Sequence, residues 1–495
     1  MKFTNLFWGF LFFAIASTQV NAAMPPLSDD SRECIECHTL VHPGIVAAWQ
    51  QSRHAKHALS EGLKQPDIKR RVSGANIPGN LRKYAVGCAE CHLARAKAHD
   101  STFEHNGYRV HTVVSPDDCA ICHATEAQQY HQNIMSHARD NLSDNSVYQQ
   151  LQSAILDTPT LTKKDELLFQ PPTTSTKAEA CYHCHGTQVV VKGLKKRETI
   201  MGEMEFPFLS GWPNQGVGRI NSDNSKGSCS ACHTRHTFSI AMARKPYTCK
   251  QCHVGPDVPA SMVYDASKHG NIYHAMQAKW NFNAVPWSIG QDFTAPSCAA
   301  CHMSLLVNGD GEVIARRTHQ ISDRLPYRLY GLIYAHDHPE KPDTTIIRNK
   351  EGLPLPTSFD GQPATDFLIS EKQKAVRLDN MQSVCQSCHS SGWTTNHFER
   401  LKNTIQSTNN QVKTATDLMT RIWQQGLAQR LPQPANPFDE AVERKWVETW
   451  LFHANTIRFA AAMAGGGDYG VFAGGRFQLL NNIAVIKEWL ENQRQ

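Results

Sequence analysis

A mainly helical fold is predicted, with short helical turns arranged around bound groups instead of around one large apolar core. Three observations predict it. One pentapeptide pattern, C-x-x-C-H, recurs eight times and uses all 16 cysteines. The chain is 495 residues long, yet its hydrophobic fraction is 40% and 25 prolines are scattered through it, a composition for loops wrapped around something else. Beyond the last copy of the pattern, residues 396–495 carry helical spacing and no copy of their own.

The copies start at Cys34, Cys88, Cys119, Cys181, Cys229, Cys249, Cys298 and Cys385, and their second thiols are Cys37, Cys91, Cys122, Cys184, Cys232, Cys252, Cys301 and Cys388. C-x-x-C-H is the attachment signal of a c-type haem. Two thiols add to the two vinyl groups of one porphyrin, and the histidine takes an axial position on iron. Zinc sites or disulfides also use C-x-x-C. Eight copies, each closed by histidine and leaving no odd cysteine, favour eight haems c. The proximal ligands are then His38, His92, His123, His185, His233, His253, His302 and His389. The expected fold is a multihaem cytochrome c fold wrapping eight haems.

Taken in order, the chain opens with Lys2, an apolar run from Leu6 to Ala16 and small residues at Val20-Asn21-Ala22. This reads as a secretory signal peptide over 1–22, too short to span a bilayer comfortably. Haem c is attached outside the bacterial cytoplasmic membrane, so a periplasmic protein without an integral span is expected. The formal charge of +5 is mild, and no sustained basic stripe suggests nucleic acid. The densest basic run, Lys192–Arg197, reads as a solvated face, with a redox docking patch as the sharper option.

Residues 23–395 form the haem-binding catalytic region. An electron-transfer haem needs a second strong ligand. A loose repeat offers candidates: His54 in S-R-H, 16 positions after His38; His137 in S-H, 14 after His123; His269 in S-K-H, 16 after His253. His111, His236 and His319 complete the expected distal set, with His57, His397 and His453 as unranked contenders. Leu305–Arg316 reads as two strands around an Asn-Gly-Asp-Gly turn, the one clear hairpin expected. Residues 335–370 are rich in Pro, Asp and Gly and read as irregular surface. Asn396–Leu427 and Asp439–Ala464 read as long helices, with Trp446, Trp450, Ile457 and Ala461 on one face and Gly465-Gly466-Gly467 at the end. Packing against each other or between subunits is their expected use.

Between motifs five and six the chain reads Arg235-His236-Thr237-Phe238-Ser239, then Ala243-Arg244-Lys245-Pro246. Gly255-Pro256-Asp257 and Ser267-Lys268-His269-Gly270 follow. With eight motifs, this resembles the octahaem proteins of the hydroxylamine oxidoreductase family. The resemblance implies a catalytic fourth haem, held by Cys181, Cys184 and His185, with an open distal side and seven haems as wires. It also implies a homotrimer built through the C-terminal helices, and a redox partner that is a cytochrome or a quinol-linked donor or acceptor.

In the oxidising members a tyrosine from a neighbouring subunit is cross-linked to the catalytic haem. The matching segment here is Asp468–Gly474, which keeps Tyr469 but has Phe472 and Ala473 where the family has Trp-His. Where the family has Asp-His, this chain has Asp257-Val258. A distal Asp-His pair suits the removal of protons in hydroxylamine oxidation, and valine cannot serve. Asp257, Tyr469 and His185 are the candidate catalytic residues. The expected function is reduction of nitrite or hydroxylamine to ammonium. Hydroxylamine oxidation and a purely electron-transferring cytochrome remain as alternatives.

Overall fold

The computed structural model describes residues 24–327, 329, 331, 341–428 and 436–494. The expected signal peptide over 1–22 lies outside the described residues. No described helix is long and apolar enough to cross a membrane.

The N-terminal three quarters is a string of short helices and turns, and the motifs sit on them. Motif one lies inside Asp29–Val41, motif two is the turn Cys88–His92, motif four Cys181–His185, and motif seven Cys298–His302. Motif eight ends the helix Glu371–Gln386. One helical turn suits the pattern, because residues three and four apart share a face: both thiols point the same way and the histidine stands beside them.

The Leu305–Arg316 hairpin is present, with strands Leu306–Val307 and Val313–Ala315, and Trp287–Ser288 adds a short parallel strand. The expectation of a single hairpin is corrected by three more: Phe103–His105 with Tyr108–Val110, Thr158–Leu161 with Leu167–Gln170, and Val190–Thr199 with Gly202–Ser210. The last is the longest. It contains the Lys192–Arg197 run, which is solvent-facing. Lys196 pairs with Glu203 across the strands at 2.8 Å, and Lys195 lies over the Phe208 ring at 3.6 Å. Cross-strand pairs of this kind hold a ribbon that hydrophobic alternation alone does not announce.

The C-terminal region is helical as expected. Ser391–Gln424 runs for 34 residues, and Ala441–Val447 continues through a π-turn, Glu448–His453, into Ala454–Ala462. A second π-turn, Tyr469–Ala473, precedes the last helix, Arg476–Asn492. These helices close on each other. Trp446 and Trp450 are fully buried with Val412, Met419, Ile422, Leu479 and Ile486. Residues 341–370 are irregular, but not merely surface. Ile347 and Leu355 are fully buried, and Leu355 belongs to this same cluster, so the segment straps the helices.

One buried acid sits in that cluster. Glu443 accepts hydrogen bonds from Trp423 Nε1 at 2.9 Å and from the Glu440 backbone N–H at 3.1 Å. Burial outweighs these bonds and pushes its pKa up to about 7, from 4.5. The folded state therefore holds this proton where the unfolded chain has lost it, and stability falls as pH rises from about 4.5 to about 7. Glu443→Leu should flatten that part of the curve of denaturation midpoint against pH. A slope equal to that of the wild type would count against this assignment.

Candidate haem-binding and active site

Two imidazoles on opposite sides of one iron place their ring centres about 6 Å apart, from two iron–nitrogen bonds of about 2 Å and about 1 Å from each nitrogen to its ring centre. Five proximal histidines face a second ring at this spacing. His54 faces His123 at 6.2 Å, His236 faces His92 at 6.4 Å, His319 faces His233 at 6.3 Å, and His269 faces His389 at 6.2 Å. The fifth is His105, which faces His38 at 6.2 Å. A flat macrocycle fits between such rings, and all 16 cysteines are free thiols. The residues present therefore fit haem c.

The expected repeat has a local cause. Ser52 and Ser267 each cap a helix, accepting from the N–H of Ala55 and Gly270 at 3.2 Å, and the histidine two residues on is carried on the first turn. Each unit then faces a distant motif and not the one before it in sequence. Gly270 allows the approach: a Cβ there would lie 2.1 Å from the Tyr264 carbonyl oxygen. The R-H-x-F-S stretch serves two sites. His236 faces His92, while the Phe238 ring meets His54 edge-on at 5.1 Å.

Burial holds His54, His233, His236, His302 and His319 down at about 4. Each is a neutral imidazole near pH 7, with a nitrogen lone pair to give. Backbone carbonyls orient others: His111 O accepts from His92 Nδ1 at 2.8 Å, and Ala138 O accepts from His185 Nδ1 at 3.0 Å.

His111 stands apart from the other expected distal ligands. Its ring also lies 6.3 Å from that of His92, and Nε2 is 2.7 Å from Ala94 O and Nδ1 3.2 Å from Val113 O. It stacks on His99 at 3.8 Å in a buried cluster with Asp118. Burial lowers its pKa, and the neutral ring donates its one N–H to one of the two carbonyls. His137 lies on the turn Ile134–His137 with Nε2 3.0 Å from His131 O. His397 stacks on Trp393, and His453 Nδ1 lies 3.0 Å from Gly474 O. His57 pairs with Glu61.

His105 is the ligand candidate that sequence reasoning missed. It sits in a strand, Phe103–His105, with no flanking serine. Phe103 and Phe206 lie against its ring at 5.8 and 6.2 Å. With His105→Ala, the ferric spectrum should gain one additional high-spin haem at unchanged haem content. An unchanged spectrum would remove His105 from the ligand set.

Among the described residues, no second imidazole faces His185, His253 or His302 at this spacing. His336 and His338 lie outside the described residues. Asp257 is one of the acids near motif four; Asp144, whose charge acts on Tyr182, is another. The charge of Asp257 acts on Cys184 and on His253. Its carboxylate lies over Gly255, where a Cβ would stand 2.6 Å from Oδ1. Asn455 Nδ2 donates to the Asp257 carbonyl at 2.8 Å and to Leu451 O at 2.7 Å. Buried Arg458 donates to Asn455 Oδ1 at 3.3 Å and to Asn409 Oδ1 at 2.8 Å. The loop is thus tied to the C-terminal helices. Val258 is half-buried beside it. The Tyr469–Ala473 π-turn packs against Ala260–Ala266, the helix that this loop opens.

The sulfurs trace a path through the motifs. Cys34 neighbours Cys88, and Cys91 neighbours Cys122. Cys119 neighbours Cys229, and Cys232 neighbours Cys249. Cys249 neighbours Cys298, and Cys301 neighbours Cys385. Cys252 neighbours Cys184. The motif order in space is one, two, three, five, six, seven, eight, with motif four branching from six.

A solved structure described as a hypothetical multiheme protein is 38% identical, covers 94% of this chain and 96% of its own, and superposes with a TM-score of 0.88. The family described as "Seven times multi-haem cytochrome CxxCH" matches residues 215–320. The chain belongs to the multihaem c-type cytochromes. Two relatives of this multihaem cytochrome come from Kuenenia stuttgartiensis. One is a probable nitrite reductase-hydroxylamine oxidoreductase fusion protein, 27% identical over 288 residues, which are 55% of this chain and 25% of the relative. The chain spans about a quarter of that relative's length. The other is a reducing HAO-like protein complex, whose structure shares the fold at 16% identity, with a TM-score of 0.60 over 94% of this chain and 85% of that one.

Proposed function

We propose that this multihaem cytochrome is a periplasmic octahaem oxidoreductase that reduces nitrite or hydroxylamine to ammonium. In this reading Cys181, Cys184 and His185 hold the catalytic haem. His38–His105, His92–His236, His123–His54, His233–His319 and His389–His269 are axial pairs of the wire. Haem, when bound, supplies the iron that coordinates substrate and the stored electrons. Nitrite takes up six electrons and eight protons to give ammonium and two waters; hydroxylamine takes up two electrons and three protons to give ammonium and one water.

The observation that carries the proposal is Asp257. It is an acid whose charge reaches Cys184 of motif four, and its neighbour is Val258 instead of a second base. A carboxyl on a hydrogen-bonded loop relays protons inward one at a time, as reduction requires. The branch of motif four from motif six gives it an electron supply through neighbouring motifs. The second Kuenenia relative, named as a reducing complex, supports the same direction.

Tyr469 favours a second reading, hydroxylamine oxidation, because its π-turn packs against the Ala260–Ala266 helix that follows the Asp257 loop and π-turns concentrate at functional sites. Assays of the fully haem-loaded protein separate the two. Nitrite and hydroxylamine should be consumed with a reduced artificial donor faster than hydroxylamine is oxidised with an artificial acceptor. Faster oxidation would overturn the proposed direction. A haem-bound peptide containing Tyr469 would do the same.

A further inference from the structure

Of the 16 cysteines, two are exposed: Cys37 in motif one and Cys388 in motif eight. These are the two ends of the sulfur path. The end at motif one carries a patch of distinct chemistry. Leu40 is 77% exposed, and Val41 and Ile45 are 39% and 43% exposed. Asp29, Glu33, Glu36 and Leu40 repeat at helical spacing along Asp29–Val41, so three carboxylates and the apolar residue share one stripe beside Cys37. Asp30 adds a fourth acid, and Arg32, paired with Asp29 at 3.0 Å, is the helix's one Lys or Arg side chain. The stripe is thus acidic, with four carboxylates against one basic side chain. Motif eight lacks this contrast: its helix mixes Lys372, Lys374 and Arg377 with Glu371 and Asp379.

We infer that the Asp29–Ile45 face is the docking surface for a small electron-carrier protein with a lysine-rimmed redox centre, such as a basic monohaem c-type cytochrome. The inference rests on haem being bound at motif one, and not on which nitrogen compound is reduced. Leu40, Val41 and Ile45 form the dry centre of the contact, and the carboxylates meet the basic rim. In each encounter the reduced carrier loses one electron and the haem at motif one gains it. An opposite-charge rim steers the approach and sets which face meets which.

The test uses the fully haem-loaded protein, a lysine-rimmed monohaem cytochrome c, and an acidic flavodoxin as the opposite probe. Complex formation by calorimetry at low ionic strength is read beside the electron-transfer rate in stopped flow. The basic cytochrome should bind, and added salt should weaken it. Glu33→Lys should lower both affinity and rate about tenfold. Leu40→Ser should lower affinity without changing its salt dependence. Reduction of either variant by a small artificial donor should match the wild type, with eight haem additions by mass. Equal binding of the acidic flavodoxin, or a Glu33→Lys protein indistinguishable from wild type, would overturn the inference. So would sedimentation showing that Leu40→Ser dissociates an oligomer, since the face would then join copies of this chain.

Discussion

Asp257→Asn should lower nitrite and hydroxylamine reduction by about 10²–10⁴-fold, the usual worth of a positioned acid or base. Asparagine keeps the size and the backbone, so the Asn455 bond to the residue-257 carbonyl should persist. What is lost is a group able to give up a proton beside motif four. Haem content and the ferric spectrum should stay as in the wild type, which separates lost chemistry from lost structure. A fall of less than about threefold would place the acid elsewhere.

The second large effect is on stability. Trp446 is fully buried between Trp423, Trp450 and Phe438, and its Nε1 donates to Thr416 Oγ1 at 3.0 Å. Trp446→Ala removes the largest side chain at the centre of the C-terminal helices and leaves a cavity, a change that costs about 3–5 kcal/mol. The effect should appear as a lower denaturation midpoint of the haem-loaded protein. The eight motifs lie outside this cluster, so the number of attached haems should not change. A midpoint within experimental scatter of the wild type would show that the helices are held by something other than this cluster.

What could be read from the sequence divides along physical lines. The cysteines and proximal histidines are legible because covalent attachment imposes a fixed spacing. His54 and His269 are legible because a serine cap and a histidine two residues on make a local pattern. Their partners are not, since each faces a motif far along the chain, and only the folded chain brings His269 across from His389. His105 carries no such local sign: a strand residue in a short hairpin looks like any other. His111 looks like a ligand from its place before motif three, and what its position could not tell is that its ring stacks on buried His99 beside Asp118. The Val190–Ser210 hairpin was hidden by its charges, which pair across strands instead of alternating with apolar residues. Ile347 and Leu355 lie in a segment rich in turn residues, and turn chemistry says nothing about which side chains a strap inserts.

The central claim is that the fourth haem, on Cys181, Cys184 and His185, is the one open to substrate. A ferric spectrum of the haem-loaded protein, titrated with cyanide, tests it most directly. The account predicts one high-spin haem that turns low-spin on binding one equivalent of cyanide, and loss of that component in a Cys181→Ala/Cys184→Ala protein lacking the fourth haem. A fully low-spin spectrum with no cyanide binding, or a high-spin component that survives removal of the fourth haem, would contradict it.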